Sequence, residues 1–136
     1  MKSVRLSYLL PLVCALYGQS QDQPVSHEDL ISGYERYNGK QVVISGEVLS
    51  GPEMTLMFLR SASSGTGTPE GMLVALSASA IKKPGRLEKN FTKSLKKTGH
   101  IEATLEGRFE GAPDRMWGHL LCCRFRFTVD RVISLK

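Results

Sequence analysis

Near its end the chain alternates apolar and polar side chains twice, and this pattern limits its fold more than any other. Ile101, Ala103, Leu105, Gly107 and Phe109 interleave with Glu102, Thr104, Glu106 and Arg108. After the stretch 110–118, Leu121, Cys123, Phe125, Phe127 and Val129 interleave with Cys122, Arg124, Arg126 and Thr128. A period of two places each set on one face of a strand, so both stretches predict strands with one face buried.

Upstream, Tyr37 to Val48 joins a helix stop to a strand. Asn38-Gly39 ends a helix, and from Lys40 to about Leu49 the residues Val42, Ile44, Gly46 and Val48 share one face. An inward glycine marks a bend or a place where two layers approach closely, and Gly46 and Gly107 are both read in this way. Before the stop, Ser26 is placed to cap a helix with Asp29 three residues on. Leu30, Tyr34 and Tyr37 form a narrow apolar stripe along it, and Gly33 weakens its middle.

Gly51-Pro52 predicts a turn, Met54 to Arg60 a second strand and Met72 to Leu76 a third. Ser61 to Gly71 between them is rich in Ser, Gly, Thr and Pro and reads as a hairpin tip. In the longest connection, Ser77 to Gly99, Leu87, Phe91 and Leu95 recur every four residues. That spacing predicts a short amphipathic helix over Arg86 to Lys97, preceded by Pro84-Gly85 and ended by Thr98-Gly99. Its opposite side is basic, with Lys89, Lys93, Lys96 and Lys97.

The expected order is helix, three strands, helix, two strands. This is a mainly β chain, with the arrangement of a five-stranded OB-like Greek-key barrel. It has an N-terminal helix and a second helix between strands three and four. The pattern Tyr37-x-Gly39-Lys40-x-Val42-x-Ile44-Ser45-Gly46-x-Val48 resembles the opening of small secreted bacterial OB-fold-like domains of unknown function. Leu105-Glu106-Gly107-x-Phe109, followed by Gly118-His119 and a closing strand, resembles the same domains. The likeness spans most of residues 26–136 and implies a fold; it carries no catalytic residues.

With 136 residues the chain has room for one domain. Lys2 and Arg5, the apolar run Leu6 to Leu16 and the small residues Gly18 and Ser20 read as a signal peptide over residues 1–20. The run is short of the roughly 20 apolar residues a membrane span needs. Lipid attachment at Cys14 lacks the small residue wanted just before the cysteine. Residues 21–25 then form a linker and 26–136 the domain, and the protein is expected to be exported, periplasmic or secreted. Loss of Lys2 and Arg5 lowers the basic count from 18 to 16, against 13 acidic residues. That balance is mild beside the charge of a dedicated nucleic-acid binder.

The sequence contains little that points to catalysis. His119, Cys122 and Cys123 are the cluster closest to a metal site, but alternation aims Cys122 away and no second ligand pair exists. His119 and Cys123 lie more than about 12 Å apart along a strand at ~3.3 Å per residue, too far for a base and its nucleophile. Bridging adjacent Cys122 and Cys123 closes a strained ring, so no stabilising disulfide within the chain is expected. Ser64-Gly65-Thr66-Gly67-Thr68 has the glycines of a phosphate loop without its lysine. The reading is a non-enzymatic module without metal or cofactor, binding a protein or cell-envelope partner. Arg115, Met116 and Trp117 form a compact anchor group, and Lys89, Lys93, Lys96 and Lys97 a basic face suited to an anionic surface. The alternative is a single-stranded nucleic acid or an oligosaccharide on the OB face.

Overall fold

The computed structural model describes residues 23–51, 55–59, 70–111 and 123–136. The chain is mainly β. In sequence order the described elements are α1 (His27–Ser32), α2 (Tyr34–Tyr37), β1 (Gln41–Ser50), β2 (Thr55–Leu59) and β3 (Glu70–Leu76). They continue with α3 (Ala78–Lys82), α4 (Arg86–Thr98), β4 (His100–Gly111) and β5 (Phe125–Leu135). The predicted hairpin tip 61–71 lies almost wholly outside the described residues, as does the segment 112–122 between β4 and β5.

The sheet curls on itself in the order β1-β2-β3-β5-β4, with β4 returning to β1 as a closed barrel. All neighbours are antiparallel except β3 and β5, which run parallel from Met72 opposite Phe125 to Leu76 opposite Val129. The alternation read from the sequence fills the interior: Val42, Ile44, Val48, Met57, Met72, Val74, Leu105, Phe109, Phe125, Phe127 and Val129 form one buried cluster. Phe109 and Phe125 stack there at 5.6 Å between ring centroids.

Helical segments close the two ends of this barrel. At the end where β1 starts, Ser26 caps α1 by accepting from the Asp29 N–H. The expected single helix breaks at Gly33, so α1 and α2 are separate short turns. Leu30 is fully buried, and Tyr34 meets the Phe125 ring edge-on at 6.1 Å. Gly39 turns the chain into β1 with φ +76, a conformation that costs a residue with a Cβ. The Gly39 N–H donates to Phe109 O at 2.7 Å, and Asn38 Oδ1 accepts from Gly111 N at 3.1 Å. These contacts join the end of α2 to β4. Val25, expected in a linker, already belongs to the fold: its N–H donates to Val43 O at 2.8 Å.

The opposite end is closed by α4, whose Phe91 and Leu95 enter the core. Ser50 N–H donates to Gly99 O at 2.8 Å, and Lys136 N–H to Glu102 O at 2.9 Å, fixing the helix exit to β1 and β4 to the chain end.

Closure concentrates on β4 and β5. Their register slips twice, between Thr104 and Leu105 and between Glu106 and Gly107. Glu106 lies opposite Arg131 and Gly107 opposite Val129, so Asp130 is an extra residue on β5, a bulge that bends the strand. Ion pairs flank the slip, Glu106 with Arg131 and Glu110 with Arg126, the latter at 2.8 Å. At Gly107 the two backbones come so close that a Cβ would sit 2.0 Å from Thr128 O. The inward-glycine reading therefore holds at Gly107. Gly46 also lies on the inward face, opposite buried Ala103, yet it is half-exposed and lines a hollow of about 250 Å³ with Ser45, Thr104 and Ser134.

One core cysteine departs from expectation. Cys123 is buried and disulfide-bonded, with its partner outside the described residues. The strain of a ring between neighbours argues against a stabilising disulfide within the chain, yet Cys123 carries one.

Because the Thr128 backbone and the buried Phe127 ring hold the Gly107 site, a methyl group there has nowhere to go. Gly107→Ala is expected to lose stability at or beyond the upper end of the ~1–3 kcal/mol typical of overpacking, measured by urea unfolding. Gly46→Ala, beside an open hollow, is expected to change it by less than about 1 kcal/mol.

Candidate functional site

The connection from β3 to β4 holds more structure than its periodicity suggests. Ser77 ends β3, donating its N–H to Val129 O at 2.8 Å. Its hydroxyl then accepts from Ala80 N at 3.2 Å and caps α3. The five residues of α3 fold as a helix because Ala78, Ser79 and Ala80 follow a good cap and Pro84 lies just beyond the end. This helix was missed at the sequence level. The Ser77 cap before an Ala-rich run was the available signal, and the four-residue repeat of α4 outweighed it.

Between α3 and α4 runs a groove of about 720 Å³. Leu76, Ala80, Ile81 and Pro84 supply apolar surface to it. Ile81 is 65% exposed, the large apolar side chain most open to solvent among the described residues. Lys89, Lys93, Lys96 and Lys97 line the α4 side. All four are exposed, and none is in an ion pair with a described residue. The structure thus gathers the four sequence-predicted lysines onto one wall of an apolar trough. Their methylene stems extend that trough while their ammonium groups stay in water.

One acid lines the same groove. Glu88 occupies the first turn of α4, where its negative charge suits the helix dipole. It is only 9% exposed, and its Oε1 accepts from the buried Val132 N–H at 3.3 Å. Glu88 therefore docks α4 against β5 two residues past the Asp130 bulge. In the sequence Glu88 is the one acid between Arg86 and Lys97; only the fold brings it 44 residues along the chain to Val132.

The other predicted site residues, Arg115, Met116 and Trp117, lie outside the described residues, as do His119 and Cys122. Among the described residues no three His, Cys, Asp or Glu side chains are grouped as metal ligands. A further, more polar hollow of about 530 Å³ lies along β1, α4 and β4, lined by Glu47, Ser94, Thr98, His100, Glu102 and Lys136. Strand register sets Glu47 directly opposite Glu102 there, a like-charge pair that costs stability. No described helix is long and apolar enough to cross a membrane. In comparisons with known proteins, no family model matches this chain and no curated protein matches it.

The role of Glu88 separates two variants that both remove its charge. Glu88→Ala leaves the Val132 N–H buried without this acceptor and is expected to cost ~1–3 kcal/mol in thermal or urea unfolding. Glu88→Gln keeps a carbonyl oxygen in reach and is expected to cost clearly less.

Proposed function

We propose that this chain is an exported, non-enzymatic binding module on an OB-type barrel, holding a protein or cell-envelope partner in the α3–α4 groove. The single observation that carries the binding reading is the groove itself. It sets an exposed isoleucine and a further apolar strip beside four lysines free of ion pairs with described residues. Exposed apolar surface of this kind, rimmed by charge, marks interaction sites. The OB assignment is supported by the strand order β1-β2-β3-β5-β4, the parallel β3–β5 pair and the helix between β3 and β4.

The alternative ligand, a nucleic-acid single strand or an oligosaccharide on the β2–β3 face, has less support. The outward side chains of β3 are Leu73 and Ala75, which offer neither a stacking ring nor a charge to a phosphate.

Two measurements test the proposal. Anilinonaphthalene sulfonate, an anionic amphiphilic dye, is expected to bind the folded protein saturably, and Ile81→Glu to weaken it about tenfold or more, with the near-ultraviolet spectrum unchanged. Equal binding by both proteins removes the groove as a site. For export, the mature protein recovered outside the cytoplasm is expected to begin at Gln21 on N-terminal sequencing; retention of Met1 refutes a cleaved signal peptide.

A further inference from the structure

We infer that the occupant of the α3–α4 groove is an acidic amphipathic helix of a protein partner, an inference that rests on the groove being the binding site of the module. The geometry of charge points there. Lys89, Lys93, Lys96 and Lys97 follow one another at the pitch of α4. From first to last they span about 12 Å at ~1.5 Å per residue. A ligand with a single anionic headgroup neutralises one end of such a row and leaves the rest facing itself. Carboxylates three and four residues apart on a second helix repeat at the same spacing and meet the row along its length.

The shape agrees with the charge. The groove is concave, and its volume of about 720 Å³ falls within the ~300–1,000 Å³ of ligand clefts. A helix laid along it places apolar side chains at i, i+4 and i+7 against Leu76, Ala80 and Ile81, as in other helix-in-groove recognition. Glu88 does not spoil this fit, because it is buried and its carboxylate is directed at the Val132 N–H.

The full chain, loaded with anilinonaphthalene sulfonate, is titrated with a synthetic peptide carrying leucines at i, i+4, i+7 and i+11 flanked by glutamates. Displacement of the dye is expected, with affinity falling as salt rises. The double variant Lys93→Glu, Lys97→Glu is expected to weaken the peptide about tenfold or more. A peptide with the same leucines and lysines in place of glutamates is expected not to compete. If the dye binds and Ile81→Glu weakens it, yet the acidic peptide fails to displace it, the inference is overturned while the binding-module reading stands. Displacement by phosphatidylglycerol vesicles but not by the peptide overturns it in favour of a lipid surface. Failure of the dye itself to bind overturns both.

Discussion

Everything in this fold waits on β5 finding two partners at once. Its first half pairs parallel with β3, and most of its length pairs antiparallel with β4. A strand held on both sides must match two registers, and the mismatch is taken up by the Asp130 bulge and the second slip near Ile133. Gly107 allows the β4 backbone to close to within reach of Thr128 O. A side chain there would force the two backbones to shift apart.

The end of the β3 pairing bears on where α4 lies. Beyond Val129 β5 has no register with β3, and a buried N–H there needs an acceptor. Glu88 supplies one to Val132. That bond, with Phe91 and Leu95 in the core, fixes the rotation of α4 about its axis. Once the apolar stripe and Glu88 face inward, the remaining positions must face out, and those positions carry the lysines. The basic wall of the groove is thus set by how the barrel closes, although none of its four lysines takes part in closing it.

How much of this was legible depended on how local the signal was. The alternation over 101–109 and, among the described residues, over 123–129 was read correctly because a period of two is written in consecutive residues. The spacing of Leu87, Phe91 and Leu95 likewise announced α4. Non-local facts were not legible: the parallel β3–β5 pair, the Glu88–Val132 bond and the packing of α2 on β4 each join distant stretches. Gly46 and Gly107 looked alike in sequence, both glycines on inward faces. Only the register slip beside Gly107 makes one indispensable to close packing and leaves the other beside a hollow. Of the candidate site, the four lysines were found but not the wall they face, because a five-residue helix has too few turns to show a period.

A row of lysines on a helix is usually a solvated face, and that explanation covers only half of this one. Lys96 and Lys97 sit in the last turn of α4, where their charge is favourable to the helix dipole. Lys89 stands at the other end, close to the positive pole, where a cation is disfavoured. Lys89 with Lys93 and Lys93 with Lys97 are like-charge pairs at i,i+4, each costing ~0.2–0.5 kcal/mol. A sequence shaped by solubility alone gains as much from alternating signs, which would turn those penalties into attractions. Instead Glu88, the only acid of the helix, is turned inward to Val132. The exposed isoleucine lies across the same groove. On the proposed reading, an acidic, apolar-striped partner would offset the lysine repulsion and cover that side chain.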